Sequence, residues 1–461
     1  METTLSQTLA DHVAALRWEQ LPEACQRGTR SSLLDMLGCM LAATGLEPAC
    51  KAFADLAKRD GGEPQATAIG YGFRTSASRA ALVNGSLTHA LDFEDGLDGL
   101  PVHANASSIP AALAIAEMLP QVTGKQLLTA LAAGCDLSCR LAAALDVNPD
   151  DAGWYTPPIM SLLGATASAC HLLRLNSEQI LNAWSLALCQ GTCSGELKRA
   201  PQSDLRAVRE GFIARAAVDS ALLAAGGVRG FPQPIESKGG LFGLYAQGKF
   251  SAERLLKDLG TDFYGARLSF KAWPSCRGTH AYIEALKHIL QTSNVSVEEI
   301  ENIEVEVGPI PRMLMEPRPD KLRPSNAINA KFSIPYTLAV TLRRGTVRLD
   351  DFNSAALEDP ATLVLTPLVT MKYVASLGPT EGVLTVRTRR DSITYAVKYP
   401  PGSPENPLAP AVLAEKFVDC AVHAIHPWAR EKAERACHLI LSTDKIDDVQ
   451  QELMTPLFSA D

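Results

Sequence analysis

The sequence predicts a mainly α-helical protein, a large all-helical bundle that carries a smaller inserted α+β lid domain. Three observations carry that prediction. At 461 residues the chain exceeds what one hydrophobic core usually supports, roughly 250 to 300 residues, so two domains are expected. Apolar residues recur with a helical period up to about residue 265, after which short alternating strands appear between helices. Helical pattern then returns beyond a proline-rich stretch near residue 400. Residues 1–265, completed by 401–461, are therefore assigned to the helical domain, and residues 266–400 to the lid.

Taken in order, Leu5, Leu9, Val13 and Leu16 fall on one helical stripe, and Ala-rich helical runs follow at 111–118, 126–145, 160–175 and 212–225. Gly124, Gly134, Gly164, Gly191 and Gly211 punctuate those runs, where small residues let buried backbones approach closely. Asn176-Ser177 ahead of Glu178 and Ile180 reads as a helix start. In the lid, residues 303–307 alternate apolar and charged side chains as a half-buried strand does. Residues 383–387 with 392–397 read as a hairpin around Arg389-Arg390-Asp391. Residues 281–289 and 334–342 look helical, 399–407 is loop by composition, and helices resume at 411–419 and 427–441.

Composition excludes several classes of function. An apolar content of 46% with 20% charged residues rules out wholesale disorder. The net charge of -8 is spread along the chain without a basic stripe, so no nucleic-acid partner is expected. The longest apolar runs, such as 33–43 with its Asp35 and Gly38, are too short to span a bilayer, and the first residues lack a secretory pattern. A cytoplasmic protein without membrane contact is expected. The eleven cysteines, odd in number and scattered among apolar neighbours, suit buried thiols in a reducing compartment. Cys135 with Cys139 and Cys189 with Cys193 share helix faces but lack further ligands, so they read as core residues and not as a zinc site.

The most informative stretch runs from His89 to His103, where two imidazoles and four carboxylates, Asp92, Glu94, Asp95 and Asp98, gather in one Gly/Pro-punctuated segment. Asp92 and Phe93 continue the apolar helical pattern of Leu87, Ala90 and Leu91, and residues 109–116 are again of buried-helix type. The loop is thus expected to lie clamped between core helices. Histidine suits proton transfer there because its unperturbed pKa lies near neutrality. A second cluster, Lys271 to His280, offers Lys271, Cys276, Arg277, Thr279 and His280 after a Trp-Pro turn. Its cations suit an acidic substrate, although Thr279 and His280 serve equally well to start the helix through Ile283 and Leu286. A Cys276 nucleophile would need an activating base and a depressed pKa.

In order and spacing, six segments resemble the MmgE/PrpD family, whose members include 2-methylcitrate dehydratases, cis-aconitate decarboxylases and iminodisuccinate epimerases. They are residues 34–38 (Leu-Asp-Met-Leu-Gly), 84–95 with His103, 133–140, 271–280 (Lys-Ala-Trp-Pro-Ser-Cys-Arg-Gly-Thr-His), 330–336 and 401–408. The resemblance implies a helical domain built from both ends of the chain, an inserted lid, a homodimer, and an interdomain cleft that needs neither metal nor cofactor. It implies that His103 is the family's loop histidine and Asp92 the aspartate opening its Asp-Phe-Asp-Asp motif. Three positions depart from the pattern: Gly96 stands for threonine or serine, Tyr155 for histidine and Arg206 for lysine, while Cys276 sits where decarboxylase members carry a histidine and many other members have cysteine. Arginine keeps the cation but does not act as a proton donor at neutral pH.

The expected function is a cofactor-free lyase, a dehydratase or decarboxylase, acting on a small di- or tricarboxylate. His103 moves the proton and Asp92 orients it, Tyr155 and Cys276 are further catalytic candidates, and Arg206, Lys271, Arg277 and His280 hold substrate carboxylates. Two alternatives stand beside it. One is an epimerase or isomerase of the iminodisuccinate type with Tyr155 on the opposite face; the other is a non-catalytic dimeric binding protein on the same fold.

Overall fold

A computed structural model describes residues 3–200 and 202–458. The first stripe forms α1 (Leu5–Ala15), whose N-cap Thr4 accepts a hydrogen bond from the Gln7 amide. It is followed by α2 (Glu23–Leu46) and α3 (Pro48–Asp60), and by a two-stranded hairpin of β1 (Ala66–Ala68) and β2 (Phe73–Thr75). Next come α4 (Ala77–Thr88), α5 (Ala104–Met118), α6 (Gly124–Ala143), α7 (Thr156–Leu172), α8 (Ser177–Leu188), α9 (Leu205–Val208) and α10 (Glu210–Ala225). The start of α8 is the capping box expected at Asn176, with Asn176 and Gln179 exchanging side-chain-to-backbone bonds.

α5 and α7 form the centre of this bundle because they are apolar or small on every face, and a helix without a polar face must be surrounded. α4, α6 and α10 surround them. α6 crosses α7 at a pair of glycines. A Cβ at Gly134 would lie 2.6 Å from the Gly164 carbonyl oxygen, and one at Gly164 would lie 2.3 Å from that of Gly134.

The lid is a four-stranded sheet of order β4-β3-β5-β6, with β3 (Ile300–Val307) parallel to β4 (Val369–Tyr373) and antiparallel to β5 (Gly382–Thr388), which forms a hairpin with β6 (Ser392–Val397). Ile303, Val305, Val307, Leu384 and Val386 face the helices His280–Thr292 and Ile334–Arg344, and together they make a core separate from that of the bundle. The alternate residues face out: Glu304 pairs with Arg387, and Glu306 with Lys372. After the 399–407 loop the chain returns to the bundle. Leu413, Phe417 and Ala421 of helix Pro410–Val422, and Ile440 of helix Arg430–Leu441, join its core, with Phe417 packed over Gly38 of α2.

Three features differ from the sequence reading. The helical pattern through Asp92 and Phe93 is broken: α4 stops at Thr88, and Asp92 adopts φ +50°, a left-handed conformation no helix continues through. β4 went unforeseen although Val369, Met371 and Tyr373 alternate with Thr370 and Lys372, because five residues give too short a repeat to stand out. The β1–β2 hairpin is too short to show a period. Among the described residues no single helix is long and apolar enough to cross a membrane. α2 and α3 pass that test only as a pair bent by 95°, and residues 33–44 of α2 are buried in the core. The eleven cysteines are free thiols, nine of them buried.

Because backbone meets backbone at the α6–α7 crossing, Gly164→Val should lower the thermal midpoint by several degrees, on the scale of about 1–3 kcal/mol for overpacking. Gly239→Ala, where an added Cβ meets nothing within 4 Å, is the control. An unchanged midpoint for Gly164→Val would refute the close crossing.

Candidate functional site

Once α4 ends, the chain must satisfy the backbone of a buried turn without helical partners. It does so with three lysines. Lys331 Nζ donates to the Leu91 carbonyl at 2.6 Å, Lys271 Nζ to the Asp92 carbonyl at 2.9 Å, and Lys416 Nζ to the Phe93 carbonyl at 2.6 Å. Lys271 stands at the entry to the lid, Lys331 within it, and Lys416 on the returning helix Pro410–Val422. Lys416 also donates to the Lys271 carbonyl at 3.0 Å and pairs with Asp35 of α2 at 2.6 Å. Three consecutive carbonyls are thus fixed by cations from three regions.

The turn holds its side chains in a buried acid–base cluster. Lys271 Nζ lies 2.7 Å from Asp92 Oδ1 and 3.9 Å from Glu94 Oε2. Burial alone would lower the lysine, but Asp92 and Glu94 outweigh it and raise its pKa, so it stays a cation. Burial pulls the other way on both acids. Lys271 outweighs that pull and holds Asp92 below its usual range, and the His89 hydrogen bond together with Lys271 holds Glu94 well below its own, so both remain carboxylates. Burial and the Arg209 charge push His89 down to about 3, so its ring is neutral.

An ionised carboxylate only accepts, so His89 Nδ1–H donates to Glu94 Oε1. His103 Nδ1 lies 3.0 Å from the same oxygen without the alignment of a hydrogen bond, and the two imidazoles meet edge to face at 4.7 Å. Such contacts commonly tighten when substrate binds. His89 is buried, while a fifth of the His103 side chain is exposed, so His103 is the member that opens outward.

It opens into a cleft of about 710 Å³ between bundle and lid. His103, Asp92, Tyr155, Cys276, Arg206, Lys271 and Arg277 all line this cavity, so seven of the eight residues singled out in the sequence meet there. His280 does not. It is fully buried, packs edge to face on Trp273, and contacts Ser275 O and Arg277 Nη1, which leaves it behind the wall.

The seven are not equally available. Arg277 is engaged by Asp98 at 3.0 Å, Pro401 O at 2.7 Å, Ser403 Oγ at 2.7 Å and Pro400 O at 3.2 Å, so it ties the 96–101 loop to the 399–407 loop. Burial and the Asp92 charge push the Cys276 thiol up to about 11, leaving it protonated at neutral pH and a poor nucleophile as it stands. Tyr155 has two cations over its ring, Arg209 at 4.8 Å and Lys198 at 5.0 Å. Arg206 stacks 3.6 Å over the Phe332 ring, with Nε lacking a hydrogen-bond partner. At Gly96 an added Cβ would meet only His103 Nδ1, at 3.8 Å, so packing does not exclude the hydroxyl residue implied by the resemblance.

The donor types of a metal site occur together once among the described residues, at His89, Glu94 and His103, whose ligand atoms lie within 4.8 Å of one another. In this arrangement His89 Nδ1 and Glu94 Oε1 are hydrogen-bonded to each other.

Sequence reasoning passed over Glu94 and His89 as site residues although both stood in the marked segment, because their burial shows only in the fold. Lys331 lies in the 330–336 segment and was open to selection. Lys416 sits mid-helix with no motif around it.

The fold and the site together define a helical protein with an inserted α+β lid, its interdomain cleft lined by imidazole, carboxylate and guanidinium groups. The chain belongs to the MmgE/PrpD family: residues 7–253 match the MmgE/PrpD N-terminal domain and residues 273–440 the MmgE/PrpD C-terminal domain. It is 26% identical over 387 residues to a cis-aconitate decarboxylase-like protein of Aspergillus oryzae, covering 78% of each chain. It is 24% identical over 467 residues to the cis-aconitate decarboxylase of Mus musculus, covering 98% of this chain and 92% of that one. The human cis-aconitate decarboxylase is likewise 24% identical, over 361 residues, covering 75% of this chain and 72% of the relative.

One member of the cluster makes a prediction about pH. Asp95 accepts from Asn105 Nδ2 at 2.7 Å and has no cation of its own, and burial and the Asp35 charge raise it to about 7. The folded protein therefore keeps a proton that the unfolded chain releases near pH 4, so Asp95 makes stability fall as pH rises from about 4 to about 7. Asp95→Asn removes that loss. Its gain in thermal midpoint over the parent should be near zero at pH 4, grow through this window and level off above it. A pH-independent difference would refute the assignment.

Proposed function

We propose that this protein is a lyase that acts on a small carboxylate by moving a proton at a carbon next to the carboxylate group, using side chains and no metal or cofactor. One observation carries the reading: Glu94 faces the Nδ1 atoms of both His89 and His103, and His103 opens on the cleft. A carboxylate on the Nδ1 side fixes the tautomer that leaves the His103 Nε2 lone pair for substrate. Lys271 and Asp92 hold that carboxylate and the turn in place, and Arg206 supplies a guanidinium for the substrate carboxylate. The decarboxylase names of the relatives support the class. A buried, ionised carboxylate shared by two imidazoles is also more than a binding protein needs, which speaks against the non-catalytic reading.

A second reading is epimerisation, in which a proton leaves one face of a carbon and returns to the other. Tyr155 favours it, because its ring lines the same cavity with two cations over it. A homodimer belongs to the proposal as well. Leu205, Phe212, Leu223, Val228 and Phe231 are exposed apolar side chains available to such an interface.

Following deuterium incorporation and product formation on a panel of carboxylates in deuterated water tests this directly. A lyase yields product, an epimerase yields exchange with inversion, and a binding protein yields neither. His103→Ala should cut turnover by roughly a hundredfold or more, the usual scale of general acid–base catalysis. Arg206→Ala should act chiefly on KM. Activity should survive exhaustive chelation, and a loss restored by one metal would overturn the scheme.

A further inference from the structure

The charges that line the cleft decide what it accepts. Four are cations, Lys198, Arg206, Lys271 and Arg277, and four are carboxylates, Asp92, Asp98, Asp146 and Asp150. Three of the cations are already tied to those acids: Lys271 to Asp92 at 2.7 Å, Arg277 to Asp98 at 3.0 Å, and Lys198 to Asp150. Arg206 alone among these four has no acidic partner among the described residues, and its guanidinium lies at the Lys271 end, where both charges act on Cys276. Glu94, 3.9 Å from Lys271, adds one more negative charge just behind the wall. The fourth lining acid, Asp146, is taken by Arg254 at 2.6 Å, which leaves Arg206 as the lining cation available to one substrate carboxylate. A tricarboxylate would leave two charges unpaired in a desolvated cleft, which is strongly unfavourable.

Size points the same way. A cavity of about 710 Å³ falls among those of about 300–1,000 Å³ that hold drug-sized ligands, and a six-carbon acid fills little of it. The rest of the wall is apolar: Leu97, Leu100 and Val147 from the bundle, and Ile310 and Met313 from the lid. Ile310 is 55% exposed and Met313 43%, unusual exposure for large apolar side chains unless something covers them.

Resting on the carboxylate chemistry proposed above, we infer that the substrate carries a single carboxylate, seated at Arg206, and an uncharged, largely apolar body that covers Leu97, Leu100, Val147, Ile310 and Met313. This narrows the di- or tricarboxylate expected from the sequence and separates the protein from relatives named for a tricarboxylate.

Calorimetric titration of the full chain with succinate, cis-aconitate and monoalkyl succinates from methyl to hexyl tests it, with solvent deuterium exchange followed on the same acids. Affinity should rise about fourfold per added methylene, as expected when each CH2 is buried. The longest esters should bind at least tenfold more tightly than succinate or cis-aconitate. Met313→Asp, at an exposed position, should flatten that gradient. Tighter binding of cis-aconitate than of every monoester, or no dependence on chain length, would overturn the inference, and turnover of cis-aconitate alongside either result would leave the lyase reading standing. A clear gradient with no exchange or turnover of any acid would sink the lyase reading and keep the binding assignment. Absence of binding by every compound would refute both.

Discussion

The whole site depends on how a buried turn with no helical partners keeps three consecutive carbonyl groups satisfied. Lys331, Lys271 and Lys416 each take one, reaching Leu91, Asp92 and Phe93 from 240, 179 and 323 residues away in the sequence. A hydrogen bond from a charged donor is worth about 1.5–3 kcal/mol, but only if the buried ammonium is itself compensated. Asp92, Glu94 and Asp35 provide that compensation: Lys271 pairs with Asp92 and lies near Glu94, and Lys416 pairs with Asp35. Three cations thus face three anions. Lys331 has no close acid and is lowered to about 8 by burial, while Asp95 is the surplus acid and rises to about 7. Burial raises Asp35 as well, although its Lys416 partner opposes the shift.

Much of this was legible in the sequence where a period or a motif exposes it. The bundle helices, the β5–β6 hairpin and the 399–407 loop follow from spacing alone, because burial imposes a repeat of 3.6 or 2 on the apolar residues. The turn at Asp92 was not legible, since its left-handed backbone is imposed by distant lysines and leaves no local mark. His103, Asp92 and Lys271, which line the cleft, were singled out because titratable residues cluster in the chain near them. His280 was misplaced for the same reason: a sequence places a histidine beside Arg277 but does not say that its ring turns inward to Ser275 and Trp273. Lys416, alone on a helix face, needed the fold.

The positions that depart from the family pattern share a location. Gly96, Tyr155 and Arg206 all line the cleft, and so does Cys276, which differs from the decarboxylase members alone. Asp92, Lys271 and His103 line the same cleft, so matching and departing positions share one wall.

Lys416 has a bearing on how the molecule is made. During synthesis the bundle helices, the 89–95 turn and then the lid all emerge before the helix Pro410–Val422 that carries it. Until that helix arrives, Phe93 and the Lys271 carbonyl lack their donor, and Asp35 sits in α2 without its cation. The nascent protein can bury most of its apolar surface and still hold an unfinished active turn. The helix that returns from the lid thus acts as a latch that closes the bundle and the buried turn in one event.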